Sequence, residues 1–121
     1  MTKNKEHFNK CTNLVFNLLY SKFPQEVDMA IDDLMDNADD ERMSDNYLAT
    51  IRFLQREGLL IYQEFYFGVF NGTVLTAKGL KILDTIVDID QTIAQQVGQA
   101  LQEQDSTLMN KVVQESINHM F

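Results

Sequence analysis

The ten residues Val74–Leu83, VLTAKGLKIL, join two kinds of secondary structure in one short stretch. An apolar pair that suits the end of a strand runs into a threonine, and a helical spacing of apolar residues starts directly behind it. A threonine hydroxyl can accept a hydrogen bond from a free backbone N–H in the first helical turn, so Thr76 is a candidate N-cap. Because glycine has no side chain, Gly79 predicts that this helix passes close to the preceding strands at that position. The stretch therefore predicts a strand-to-helix junction.

The residues before this junction predict a β-hairpin that follows a helix. The segment 59–76 is rich in β-branched and aromatic residues, and Asn71-Gly72 is a turn signal. We predict two antiparallel strands at about 60–67 and 73–76, with the tip near 68–72. The preceding helix is predicted from an N-cap at Ser44 to about Glu57, and Gly58 is its C-cap. Its inward stripe consists of Tyr47, Ile51 and Leu54.

Further amphipathic segments flank this unit on both sides. A first helix is predicted over 8–23, because apolar residues recur with helical spacing and Pro24 ends it. A second, shorter helix is predicted within 26–38, where the alternating start PQEVDM also fits an extended segment. Two amphipathic helices, separated at Asp105 and Ser106, follow in the tail. We divide the chain into a domain over 1–88 and a helical tail over 89–121, which either dimerises or folds back.

Composition and charge limit the classes of function. The chain has 121 residues, a net charge of −8 and one cysteine, so it suits one soluble domain without an internal disulfide. We predict a cytoplasmic protein, since no secretion signal and no apolar stretch of membrane-spanning length is present. The segment 24–41 holds eight acidic residues and no lysine or arginine. Such a segment repels a phosphate backbone and attracts basic partners.

The order helix, helix, helix, hairpin, helix resembles a winged helix-turn-helix domain, as found in many bacterial transcription regulators. The resemblance depends on REGLL at residues 56–60, followed about 15 residues later by LTAKGL at 75–80. The resemblance covers about residues 8–85. The chain also resembles uncharacterised bacterial proteins of similar length. The fold class that it implies is α+β and mostly α, with three helices, a β-hairpin wing and C-terminal amphipathic helices.

The resemblance implies double-stranded DNA as a partner and the third helix as the recognition helix. Asn46 could contact adenine, and Arg52 and Arg56 could reach guanine or phosphates. Asp45, Leu48 and Ala49 depart from the polar and basic pattern of that helix. The residues that the resemblance places against DNA are Asn46, Thr50, Arg52, Arg56, Asn71 and Thr73. If DNA is bound, a homodimer is expected, because one such helix makes few phosphate contacts.

The same observations leave open a second function, an acidic protein-interaction module that does not bind DNA. The wing has no basic residue at its tip, and the second helix is acidic where it would cross the DNA backbone. An exposed aromatic face on a hairpin is typical of a protein contact. The residues predicted for a basic protein partner or a dimer contact are Asp32, Asp33, Asp36, Tyr66, Val113, Ile117 and Met120.

The sequence contains only weak indications of a catalytic or metal-binding site. His7 and Cys11 have the i, i+4 spacing of two ligands on one helix, but no second pair accompanies them, so Cys11 is predicted to be a core residue. The sequence holds no phosphate-binding glycine loop and no nucleophile–base pair. We predict that the protein is not an enzyme and uses no metal or cofactor.

Overall fold

Helices form where the apolar residues recur with helical spacing, and strands form where β-branched and aromatic residues concentrate. A computed structural model describes residues 3–35, 41–88 and 90–120. It is an α+β structure, mostly helical, with small antiparallel sheets. The helices are α1 Lys3–Lys22, α2 Ile31–Leu34, α3 Glu41–Arg56, α4 Ala77–Leu83, α5 Ile93–Glu103 and α6 Ser106–Asn118. The strands are β1 Val27–Ala30, β2 Leu60–Ile61, β3 Glu64–Tyr66, β4 Val69–Leu75, β5 Ile86–Asp88 and β6 Gln91–Thr92.

The larger sheet is built around β4, which pairs antiparallel with β1 on one side and with β2 and β3 on the other. Phe70 of β4 lies opposite Met29 in β1 and Phe65 in β3. Phe70 and Met29 are buried, whereas Tyr66 is exposed one residue along β3. Because side chains alternate between the two faces of a strand, this register directs one face of the sheet toward the core.

The turn of the hairpin lies before the predicted Asn71-Gly72 turn, at the start of the predicted tip region. It consists of Phe67 and Gly68, whose φ angles are 51° and 77°, as expected for a two-residue turn with both central residues left-handed. The predicted turn at Asn71-Gly72 is wrong, because both residues belong to β4. Gly72, with φ 65°, sits at an irregularity in the β1–β4 register. Its N–H donates to the Asp28 carboxylate at 3.0 Å, so this glycine serves a bulge and not a turn.

The second predicted helix is largely wrong, while the extended alternative for its start is confirmed. Residues 27–30 form β1, because pairing with β4 satisfies their backbone groups, and only the single turn α2 follows. The last residues of the predicted helix, 36–38, lie outside the described part of the chain. The long helix α3 begins at Glu41, so Ser44 lies inside it and the prediction of Ser44 as N-cap is wrong.

The junction at Thr76 matches its prediction and ties three elements together. The Thr76 hydroxyl accepts from the Gly79 N–H at 3.1 Å and donates to the Gly58 carbonyl at 2.5 Å. Gly79 packs directly against the backbone of Leu59, so the start of α4 is held against the end of α3. The helical spacing of Leu80, Leu83, Ile86 and Val87 predicts that this helix continues past residue 83. That extension is wrong, because α4 ends at Leu83 and Ile86–Asp88 pairs with β6.

The tail folds back on α1, one of the two alternatives that the sequence left open. Thr92 begins α5 with a capping box that includes Gln95, and the Asp105 carboxylate caps α6. Val97 of α5 and Val112 of α6 belong to the same buried cluster as Val15 of α1. The boundary proposed near residue 88 therefore does not divide the core. Within the described ranges no helix has the length and apolar character needed to cross a membrane.

Candidate nucleic-acid interface

The arginines of the chain lie on the outward face of α3. Residues at positions 47, 51 and 54 of this helix are buried, and helical spacing turns a different set toward solvent. That set, the α3 face, is exposed along its length and consists of Arg42, Asp45, Ala49, Arg52 and Arg56. The sequence contains three arginines, and all of them lie on this face. With one aspartate among them, the face is locally basic in a chain of net charge −8.

An open groove, which we call the α3 groove, separates this face from the hairpin. Its volume is about 540 Å³, and it is lined by Asp45, Leu48, Ala49, Arg52, Gln55, Arg56 and Tyr62. The guanidinium of Arg52 lies 5.8 Å from the centre of the Phe65 ring. A cation over an aromatic face is attracted by the ring quadrupole, which restricts where Arg52 can point. The groove thus combines an apolar floor with positioned positive charge.

Two predicted DNA contacts of α3 point elsewhere. Thr50 is buried, and its hydroxyl donates to the Asn46 carbonyl at 2.8 Å, so the prediction that Thr50 contacts DNA is wrong. Asn46 is half-buried on the side of α3 that faces α1, and its amide donates to the Asn4 carbonyl at 3.1 Å. The structure brings together Arg52 and Arg56 but separates them from Asn46 and Thr50.

The two predicted wing contacts also lie away from the hairpin tip. Thr73 is fully buried and donates to the Phe70 carbonyl, so it cannot contact DNA in this fold. Asn71 is half-buried in β4, and its carbonyl accepts from the Gln63 N–H at 2.8 Å. Because the turn is at Phe67 and Gly68, these two residues occupy the middle of the strand.

Sequence reasoning missed Arg42 and Phe67. Arg42 is ten and fourteen residues before the other two arginines, which is a same-face spacing on a helix, but the helix was predicted to begin after it. Phe67 was predicted as the last residue of a strand and is instead a turn residue that is 86% exposed.

The hairpin end of the sheet forms a second surface, which we call the tip surface, consisting of Asp32, Glu64, Tyr66 and Phe67. The Ile31 N–H donates to the Gly68 carbonyl at 3.0 Å, which holds the start of α2 beside the turn. Tyr66 is 62% exposed, and its ring centre lies 4.2 Å from that of Phe67. Asp32 and Glu64 are both exposed. Two residues predicted for protein contact, Asp32 and Tyr66, therefore follow and precede the two ends of this backbone contact at the hairpin turn.

The remaining residues predicted for protein contact are not part of this surface. Asp33 lines a different groove of about 880 Å³ between α1, α2 and the start of α6, and Asp36 lies outside the described residues. Val113 and Met120 are buried, and Ile117 packs partly buried on the core. The apolar face of α6 is covered by its own chain, which leaves little of it for a second copy.

Cys11 occupies the core, as the sequence predicts. It is fully buried, and burial raises the pKa of its thiol. Among the described residues, no group of three or more histidine, cysteine or acidic side chains could hold a metal ion. No protein-family model, curated protein or solved structure matches this chain, so its function has to be inferred from its own surfaces.

Proposed function

We propose that α1 to α4 form a winged helix-turn-helix and that the protein binds double-stranded DNA through the α3 face. The observation that carries this proposal is the placement of all three arginines on the outward face of one helix. The order helix, strand, short helix, long helix, hairpin supports the fold, and so does a sheet in which β1 pairs with the second hairpin strand. In that fold α3 is the helix that enters the major groove.

The chemistry of the α3 face suits contacts to the DNA backbone and to base edges. Arginine makes bidentate hydrogen bonds to phosphates and to guanine. Ala49, exposed among the arginines, can contact a thymine methyl group. Asp45 and the acidic residues elsewhere reduce the attraction, so we expect modest affinity that depends strongly on salt.

The proposal is tested by fluorescence anisotropy with a labelled mixed-sequence duplex at about 50 mM salt, where non-specific binding is strong. We expect the wild-type protein to bind and the double variant Arg52→Ala/Arg56→Ala to lose most of its affinity. The slope of log affinity against log salt should fall by about one unit for each phosphate contact removed.

A matched control removes the same charge from another part of the surface. Lys22→Ala/Lys81→Ala deletes two exposed basic side chains, on α1 and α4, and should leave most of the affinity intact. Asn46→Ala should also bind normally, because its amide is directed to the Asn4 carbonyl. Absence of binding by the wild-type protein at low salt, or an equal loss in both double variants, would contradict the proposal.

A further inference from the structure

The residue at the hairpin turn is poorly suited to the backbone conformation it occupies. Phe67 has a φ of 51°, in the left-handed region where asparagine and glycine are favoured and bulky side chains are strained. The residue is also 86% exposed, so folding gains little from its ring. A strained and exposed aromatic residue indicates a role in binding, because neither the turn nor the core requires it.

The surroundings of Phe67 define what kind of partner would bind there. Tyr66 adds a second exposed ring. Asp32 follows Ile31, which bonds to the turn, and Glu64 lies two residues before Tyr66 in β3; both are exposed and acidic. The hairpin segment 58–77 contains no lysine or arginine, and neither does the segment 23–41 that includes β1 and α2. The tip surface therefore combines aromatic rings with negative charge, and it complements a cationic surface that has an apolar floor.

The α3 groove has this complementary chemistry. Arg52 and Arg56 supply positive charge, and Leu48, Ala49 and Tyr62 supply apolar area in a space of about 540 Å³. Arginine also packs favourably on aromatic rings, as Arg52 already does on Phe65. Phe65 and Tyr66 are neighbours in β3, so their side chains leave opposite faces of the sheet. The tip surface of a chain is therefore turned away from its own α3 groove.

We propose that the tip surface of one copy docks in the α3 groove of a second copy, so that the protein self-associates in a form whose arginines are covered. The two surfaces are different, so the contact is heterologous, and the negative charge of the tip surface complements the arginines of the α3 groove within a single sequence. Because the contact uses Arg52 and Arg56, self-association and DNA binding should exclude each other. Free DNA-binding protein then exists in equilibrium with an associated form that cannot bind DNA.

The first experiment is sedimentation velocity of the full chain over a concentration series at about 50 mM and about 500 mM salt, since high salt screens an ionic contact. We expect concentration-dependent association at low salt that weakens at high salt. Phe67→Asn, which places a favourable residue at the turn, and Arg52→Ala/Arg56→Ala should each sediment as monomers. Ile61→Thr is the matched control, because it removes exposed apolar area on β2, away from the tip, and should associate like the wild type.

The second experiment mixes the two monomeric variants. Phe67→Asn retains an intact α3 groove, and Arg52→Ala/Arg56→Ala retains an intact tip surface, so the mixture should recover association that neither variant shows alone. A wild-type protein that stays monomeric at low salt, a Phe67→Asn variant that associates normally, or a mixture that stays monomeric would overturn the proposal.

DNA binding separates this inference from the proposed function. Phe67→Asn should bind the duplex at least as well as the wild type, because it lacks the competing contact, whereas the arginine variant should lose both activities. Association that depends on Phe67 and on the arginines without any DNA binding would uphold self-association and reject the DNA proposal. Circular dichroism of each variant confirms that it is folded.

Discussion

At the scale of single residues, the junction after the hairpin shows how two small side chains fix the position of a helix. Thr76 connects the first turn of α4 to the Gly58 carbonyl at the end of α3. Gly79 is needed for close approach, because a Cβ at this position would overlap the carbonyl oxygen of Leu59. Its φ angle is not in the left-handed region, so the requirement is space and not backbone conformation.

Gly79→Ala should therefore destabilise the protein by at least about 2–3 kcal/mol, since backbone atoms at both sides of the overlap have to move. Gly98→Ala in α5 is the matched control, because no atom of the described residues lies within 4 Å of a Cβ there. It should stabilise the protein by about 0.5–1 kcal/mol through the higher helix propensity of alanine. Urea denaturation followed by circular dichroism measures both, and a similar loss in the two variants would contradict the steric explanation.

At the scale of elements, helical periodicity predicted α1, α3, α5 and α6 but not where α3 begins. The stripe of Tyr47, Ile51 and Leu54 fixes the existence and inward face of α3, whereas its start depends on residues near 41 that carry no apolar signal. Starting the helix at Ser44 left Arg42 out of the candidate site. A polar side chain such as Thr50 is expected to face solvent. Thr50 can be buried because its hydroxyl donates a hydrogen bond to the backbone of its own helix.

The position of the hairpin turn could not be predicted from local sequence, for a different reason. Asn71-Gly72 is a strong local turn signal, yet pairing of β1 with β4 requires a bulge at that point and uses the positive φ of Gly72 for it. The turn forms instead at Phe67-Gly68, where the glycine is typical of such a turn but the phenylalanine is not. Local turn preference is therefore overridden by a third strand that lies about 40 residues away in the sequence.

Phe67→Asn should stabilise the hairpin, because it creates an Asn-Gly turn in place of a strained aromatic residue. We expect a gain of about 1 kcal/mol in the free energy of unfolding, measured by urea denaturation at about 500 mM salt, which screens the proposed ionic self-association. Gly68→Ala is the control in the opposite direction. In the described part of the chain no atom lies within 4 Å of a Cβ added at Gly68, so the positive φ of 77° alone should cost about 1 kcal/mol. A destabilised Phe67→Asn variant would show that the ring is needed for folding.

At the scale of the whole molecule, the tail helices complete the core around α1. Asn9 donates to the Asn110 side chain at 3.1 Å, and Asn13 donates to the Met109 carbonyl at 3.3 Å, so polar contacts fix how α6 lies on α1. The sequence predicted both tail helices and their apolar faces. It could not choose between fold-back and dimerisation, because an apolar face is the same whichever chain covers it.

This arrangement predicts that the tail and the rest of the chain unfold together. Val112 of α6 and Leu54 of α3 lie in one buried cluster, so Val112→Ala and Leu54→Ala should each lower the midpoint of a single transition. We expect a loss of about 2 kcal/mol for Val112→Ala and about 2–5 kcal/mol for Leu54→Ala.

Two probes test this cooperativity in the same denaturant series. Circular dichroism follows all helices, and reaction of the single thiol with a disulfide reagent follows the centre of α1, where Cys11 is buried and its pKa is raised. The two curves should coincide in the wild type and in both variants, because Cys11 lies in the same buried cluster as Leu54 and Val112, and a single cooperative transition exposes the thiol as the helices unfold. If Val112→Ala instead loses helix content while Cys11 stays protected, the tail is a separately folding unit and the single core is contradicted.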